Sequence, residues 1–167
     1  MFARDRQTNP WVEQWKRVDR SWGRVQQAYG SWTSADEMVD LFFAFFQNTF
    51  HLRDWFLASG LDCVKVDALF GSHSLQLCRD IANGSKHCKI SINPVDRHFR
   101  IVREHDESLF RAGSARFEVF RLISLEHKID LYGLCLGCLS DIQMFLVREG
   151  LWGTQSEPTC DDFCLGS

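Results

Sequence analysis

The sequence lacks a run of about 18 uncharged apolar residues, the length that a membrane-spanning helix requires. The apolar stretch DLFFAFFQNTF, residues 40–50, is too short and breaks into polar residues. The first ten residues, MFARDRQTNP, lack the apolar core of a secretory signal. We therefore expect a cytoplasmic protein with no membrane partner.

Net positive charge is also missing, because the formal charge at pH 7 is −3. A global electrostatic attraction to nucleic acid is therefore not expected. The cations are nevertheless skewed towards arginine, whose planar fork suits phosphate and carboxylate groups. Four cationic residues lie off the apolar stripe of the predicted first helix, at Lys16, Arg17, Arg20 and Arg24. This charged face has two interpretations, a solvated surface or an RNA contact.

Internal repeats and low-complexity linkers are absent, so the 167 residues fit one domain with a single core. Fourteen Phe and six Trp supply large packing units for that core. We expect the domain over residues 1–150 and a loose tail over 151–167. Because no export signal is present, the seven cysteines are expected to be reduced. Cys135 and Cys138 fall in an apolar helix, which favours small core residues over zinc ligands.

Apolar periodicity predicts four helices, over residues 10–29, 34–58, 72–83 and 129–149. Ser34 and Glu37 have the spacing of a capping box at the start of the second helix. Gly60 is expected to end that helix, and residues 61–71 form a connector with room for one helical turn. Gly84 is expected to end the third helix.

Three short segments before the last helix have strand character, over residues 88–92, 98–103 and 115–125. The predicted fold class is mainly α: a four-helix bundle with a small antiparallel β insertion between helices 3 and 4. The insertion covers residues 88–126 approximately.

Polar residues occur at unexpected positions in two apolar helices. His51 and Asp54 are three residues apart and share one face of the second helix. Asp80, Asn83 and His87 recur at steps of one helical turn towards the end of the third. If the two faces meet, all five groups lie close together, with Arg79 and Lys86 at the rim. Burying such groups is costly unless they satisfy one another.

Three interpretations of this polar cluster are open. In the first it is a structural network, in which carboxylates hold the imidazoles and Asn83 and Lys86 bond the open carbonyls of the helix end. In the second it is a metal-free acid–base site. His87 then transfers a proton, Asp80 or Asn83 orients it, and Arg79 binds a phosphate.

The third interpretation is a metal site for Zn²⁺, Mn²⁺ or Fe²⁺, built from His51, Asp54, Asp80 and His87. The spacing of these residues does not match the Glu-x-x-His repeat of di-iron bundles. The metal-free site is therefore preferred to the metal site.

The segment CRDIANGSKHC, residues 78–88, together with the predicted bundle, resembles the HEPN superfamily of small prokaryotic helical proteins. The family pattern is Arg, then a polar residue, then a spacer and His. Here Arg79 is followed by Asp80, and the histidine is His87. Seven residues separate Arg79 from His87, a longer spacer than is usual in the family.

This resemblance implies a metal-independent endoribonuclease without a cofactor, of a toxin or phage-defence type. It also implies a homodimer acting on RNA, with a protein partner or antitoxin that restrains it. His87 would be the general acid and base and Arg79 the phosphate clamp. Asp80 and Asn83 would orient them, with His51, Asp54 and Lys86 in support. A minority of the family is non-catalytic, so an interaction or dimerisation module is the alternative.

Overall fold

The computed structural model describes residues 9–29, 31, 33–84, 100–105, 118–123 and 128–152. This part of the chain is mainly helical with a small antiparallel sheet, as predicted. The five helices are α1 (Pro10–Tyr29), α2 (Ala35–Ala58), α3 (Cys63–Phe70), α4 (His73–Gly84) and α5 (Leu131–Arg148). The three strands are β1 (Arg100–His105), β2 (Glu118–Ile123) and β3 (Lys128–Asp130).

Helix α1 buries the apolar stripe that the sequence predicts. Its tryptophans pack against phenylalanines of α2, with ring centroids 5.6 Å apart for Trp11 and Phe56 and 5.9 Å apart for Trp22 and Phe45. Both phenylalanines are fully buried. Burial of these large rings fixes α1 along one side of α2.

Helix α2 is central, since it contacts every other described helix. The predicted capping box is confirmed at its start. The Ser34 hydroxyl accepts from the Glu37 backbone N–H at 3.3 Å, and the Glu37 carboxylate accepts from the Ser34 backbone N–H at 3.2 Å. After its last turn Gly60 has a φ of +81°, a conformation that favours glycine.

Helix α3 occupies the segment for which the sequence predicts a connector with one helical turn. It has eight residues, and the Asp62 carboxylate accepts from the backbone N–H groups of Val64 and Lys65 at its start. Its own residues Val66 and Leu69 are buried in the core. The described chain therefore has a short helix in addition to the four that the sequence predicts.

The sheet is antiparallel with the order β1-β2-β3. Phe120 and Leu122 of β2 are buried, and the ring of Phe120 lies 5.8 Å from that of Phe42 in α2. One face of the sheet thus covers the helical core. Strand β3 lies where the sequence predicts the start of the last helix. The predicted strand 88–92 lies outside the described residues.

Helix α5 begins after Asp130, whose carboxylate accepts from the Gly133 backbone N–H at 2.8 Å. Cys135 and Cys138 are buried within it, as predicted. By length and composition alone α5 is the one described helix that could cross a membrane, and 44% of that window is buried. A core helix passes the same test.

Candidate functional site

A buried carboxylate holds the arginine that the sequence singles out. Asp80 is 1% exposed, and its Oδ1 accepts hydrogen bonds from Nε and Nη2 of Arg79, both at 3.0 Å. The Arg79 side chain is 31% exposed. Charge-assisted hydrogen bonds of this kind are short and directional. The pair therefore fixes a guanidinium at the edge of the core.

Arg79 borders a cleft of about 440 Å³ formed by α2, the end of α3 and α4. Two phenyl rings, Phe50 and Phe70, line the same cleft. A second guanidinium, that of Arg53, also reaches it and pairs with Asp67 through an Nη2–Oδ1 distance of 2.6 Å. The cleft thus combines aromatic surface with two positive groups and one negative group. Anions and planar rings are the ligands that such a lining suits.

Asp54, which the sequence predicts beside Asp80, lies on the surface instead. Its side chain is 75% exposed, and its Oδ1 is 3.8 Å from Nη1 of Arg53. Because Asp80 is buried, the two carboxylates do not share one enclosed site. The spacing of three residues places Asp54 on the same side of α2 as His51, but it does not determine which neighbouring helix that side meets.

The remaining predicted site residues are His51, Asn83, Lys86 and His87, and two of them lie within the described part of the chain. His51 is half-buried, with its ring centroid 6.5 Å from that of Phe50. Asn83 is half-buried in the last turn of α4, three residues after Asp80. Lys86 and His87 lie outside the described residues, so the distance from Arg79 to His87 stays a prediction.

Among the described residues, no group of three or more His, Cys, Asp or Glu side chains could hold a metal ion. Of the four proposed metal ligands, Asp54 is exposed on the surface. His87 lies outside the described residues. The metal interpretation consequently has no support from His51, Asp54 and Asp80.

Buried thiols lie next to the Arg79–Asp80 pair but are unsuited to nucleophilic chemistry. Cys78 of α4 is fully buried, and its Sγ donates to the backbone carbonyl of Phe46 at 3.3 Å. Burial raises the pKa of Cys78 well above its usual value, and the contact with Cys138 raises it further. Burial likewise raises the pKa of Cys135. Because the thiolate is the reactive form, these residues are core components.

The aromatic lining of the cleft was not among the predicted site residues. Phe50 was counted as part of an apolar helix, and Phe70 lies at the end of a helix that the sequence did not predict. A usable signal was present, since Phe50 and Arg53 are three residues apart and share a face of α2. An arginine that shares a face with an aromatic residue on a mostly apolar helix indicates a cleft lining.

Comparison of the chain with protein-family models, with curated proteins and with solved structures finds no match. The resemblance to the HEPN superfamily therefore stays a prediction from the sequence pattern around Arg79.

Proposed function

We propose that this protein is a metal-independent endoribonuclease of the HEPN type. The observation that carries the proposal is the Arg79 guanidinium, held by a buried carboxylate at the border of a cleft that contains two phenyl rings. A fixed positive charge beside aromatic surface suits a nucleotide, whose phosphate and base need these two kinds of group. His87 and Asn83 complete the proposed site by the sequence pattern.

The proposed chemistry needs no metal. The 2′-oxygen of a ribose attacks the adjacent phosphorus, and the bond from phosphorus to the 5′-oxygen breaks. One proton leaves the 2′-hydroxyl and one reaches the departing 5′-oxygen, which yields a 2′,3′-cyclic phosphate and a 5′-hydroxyl. His87 is the proposed proton carrier for these transfers. Arg79 stabilises the charge that accumulates on the phosphate oxygens.

Asp80 is a positioning residue in this proposal. Its contacts to Nε and Nη2 restrict the rotamers of Arg79, so less conformational entropy is lost when phosphate binds. Phe50 and Phe70 would stack on the bases that flank the scissile phosphate. His51, Asp54 and Lys86 are left with an indirect role.

The wider context of the proposal comes from the resemblance. We infer that the four long helices form a bundle to which α3 is added, and that two chains pair so that two Arg–His sets share one cleft. A protein partner or antitoxin would restrain the activity in the cytoplasm, as in toxin or phage-defence systems.

A non-catalytic interaction module is the second candidate, and α5 supplies the observation that favours it. Leu136, Met144 and Val147 are 49%, 61% and 61% exposed. Exposed apolar side chains grouped on one helix are typical of protein interfaces. If this candidate is right, replacing Met144 and Val147 with Gln should abolish dimerisation, measured by light scattering, without reducing any RNA cleavage.

The test of the ribonuclease proposal is cleavage of a mixed-sequence single-stranded RNA with and without EDTA. Wild type is compared with His87→Ala, Arg79→Ala and Arg79→Lys, each first checked for folding by circular dichroism. Arg148→Ala, which removes an exposed arginine from α5, is the matched control. Purifying all variants identically exposes any contaminating nuclease.

We expect cleavage that persists in EDTA, persists in Arg148→Ala and falls at least a hundredfold in His87→Ala and Arg79→Ala. General acid–base catalysis contributes about 10²–10⁴-fold, and a donor that stabilises transition-state charge contributes about 10²–10³-fold. Arg79→Lys should retain a small fraction of the wild-type cleavage rate, since the lysine ammonium keeps the positive charge but lacks the planar, bidentate geometry of a guanidinium. Cleavage lost only with EDTA would assign the site to a metal. Undiminished cleavage by Arg79→Ala would remove Arg79 from the mechanism.

A further inference from the structure

A second cleft, of about 250 Å³, lies between α1 and α2 and is lined by Arg17, Arg20 and Arg24. Its α2 side is formed by Leu41, Ala44 and Asn48. At 100° per residue, these α2 positions are on the opposite side of the helix from Phe50 and Arg53. The two clefts are therefore separate surfaces of α2.

The charge of this cleft is of one sign, because its lining in the described chain contains three arginines and no carboxylate. Among the described residues, Arg20 and Arg24 have no carboxylate within ion-pair distance. The acidic residues nearby lie outside this lining, and one of them, Asp19, is exposed on α1 between Arg17 and Arg20 in the sequence. Glu13 pairs with Lys16 at 3.2 Å, and Glu37 and Asp40 line the neighbouring cleft.

Buried polar groups beneath the cleft hold Arg17 in place. Gln14 is 1% exposed, and its Oε1 accepts from Nη1 of Arg17 at 3.2 Å, while its Nε2 donates to the backbone carbonyl of Asn48 at 2.8 Å. The Asn48 side chain in turn donates to the Ser21 hydroxyl at 3.3 Å. The Arg17 guanidinium lies over the Trp55 ring, 5.5 Å from its centroid. This end of the cleft is therefore ordered before any ligand binds.

The dimensions suit an extended polyanion. Arg17 and Arg24 are seven residues apart, about 10 Å along the helix axis. This exceeds the axial phosphate spacing of about 3.4 Å in one strand of a DNA duplex, so the arginine row spans more than one phosphate of a chain. Bases stack on guanidinium planes, and Arg17, which is held over the Trp55 ring, offers such a plane at one end of the arginine row. An acidic peptide would have no use for that stacking surface.

We propose that the cleft between α1 and α2 binds the phosphodiester backbone of a single-stranded nucleic acid through Arg17, Arg20 and Arg24. This site goes beyond the proposed ribonuclease activity, because it concerns binding on a different side of α2. A catalytic failure of Arg79 or His87 leaves it unaffected.

The test is fluorescence anisotropy of the full-length protein with a short labelled oligonucleotide whose 2′-hydroxyls are methylated, so that no cleavage occurs. A DNA oligonucleotide of the same sequence forms a second arm, and inorganic polyphosphate is the competitor. The variant is Arg20→Gln with Arg24→Gln. The matched control is Lys128→Gln with Arg148→Gln, which removes two exposed cations from other elements.

We expect wild type and the control to bind with the same dependence of log K on log salt. For single strands each phosphate contact contributes a slope of about −0.7, so the Arg20/Arg24 variant should have a slope shallower by about 1.4. Tighter binding of the methylated RNA strand than of DNA supports recognition of the sugar as well, and equal binding supports the phosphodiester backbone alone.

Three outcomes would overturn the proposal. The first is that wild type binds neither strand. The second is that the slope of log K against log salt becomes shallower by the same amount in the Arg20/Arg24 variant and in the control, which would mean that the cleft arginines contribute no more than other surface cations. The third is that polyphosphate binds as tightly as the oligonucleotides, which would make the surface a general polyanion site. Circular dichroism of each variant excludes unfolding as the cause.

Discussion

Arg79 owes its position to a carboxylate that is inaccessible to water. Removing the guanidinium in Arg79→Ala leaves Asp80 buried without its two donors at 3.0 Å. Since hydrogen bonds to charged groups contribute about 1.5–3 kcal/mol, the free energy of unfolding in urea should fall by about that much. This loss is a structural effect and is separate from any loss of RNA cleavage.

Arg53→Ala is the matched control for that stability measurement. Arg53 lines the same cleft, but its partner Asp67 is 57% exposed, so the pair is solvent-screened. We expect a loss below about 1 kcal/mol. Equal losses in the two variants would contradict the claim that the burial of Asp80 is what makes the Arg79 contact strong.

The cysteines provide a second prediction for individual residues. Cys63 is exposed, whereas Cys78 and Cys135 are buried with pKa values raised by burial. Iodoacetamide at neutral pH should therefore label Cys63 within minutes and leave Cys78 and Cys135 unlabelled until denaturant is added. Peptide mass spectrometry measures each site separately. Rapid labelling of Cys78 in the folded protein would contradict the packing of α4 against α5.

Some of the predicted residues lie together in the structure, and others lie apart. Arg79 and Asp80 were recognised because charged residues in an apolar helix demand partners, and the structure joins them. Asp54 was placed by helical spacing alone, which gives a shared face but not the neighbour of that face. Phe50 and Phe70 were missed because an aromatic residue that lines a cleft has the same sequence signature as one in the core.

Helix ends were the most predictable elements, because they depend on local chemistry. The capping box of Ser34 and Glu37 and the stop at Gly60 need only neighbouring residues. Helix α3 and strand β3 were not predicted. Both are too short for periodicity to be read, and their formation depends on packing against distant parts of the chain.

Two glycines allow the stop at Gly60 to be tested against a matched position. Gly60 has a φ of +81°, so Gly60→Ala should cost about 1–2 kcal/mol of unfolding free energy. Gly23 lies inside α1 with open space where a Cβ would be, so Gly23→Ala should stabilise by up to about 1 kcal/mol. Urea unfolding of both variants gives the signs. A stabilising Gly60→Ala would contradict the backbone conformation after α2.

At the scale of the whole molecule, Tyr29 connects the helices to the sheet. Its ring centroid lies 6.3 Å from that of Phe120 in β2 and 4.7 Å from that of Tyr132 in α5. Burial raises the pKa of Tyr29 to about 12, and the charge of Asp130 raises it as well. The neutral phenol is thus the form that the fold favours.

A pH dependence follows from this raised pKa. The unfolded chain has a tyrosine pKa of about 10, so the contribution of Tyr29 is complete below pH 10 and is lost as the pH rises through about 12. The free energy of unfolding of wild type should fall relative to Tyr29→Phe over that range. Parallel curves for the two proteins would contradict a raised pKa for the half-buried Tyr29 phenol.

Overall architecture was predictable to the level of fold class and no further. A mainly helical chain with a small antiparallel sheet follows from the apolar patterns, because period and segment length distinguish helices from strands. How the helices meet depends on side-chain packing between distant segments, such as Trp22 with Phe45, and no local pattern encodes it. The arginine row of α1 was visible, but the cleft that it lines required the position of α2.

In the proposed function, this protein cleaves RNA through the 2′-hydroxyl without a metal. The most direct measurement is incubation of an RNA oligonucleotide and its fully 2′-O-methylated counterpart with the protein in EDTA, followed by mass spectrometry of the product ends. We expect cleavage of the RNA alone, with 2′,3′-cyclic phosphate and 5′-hydroxyl ends. Intact RNA, cleavage of the methylated strand, or 5′-phosphate ends produced by attack of water would contradict it.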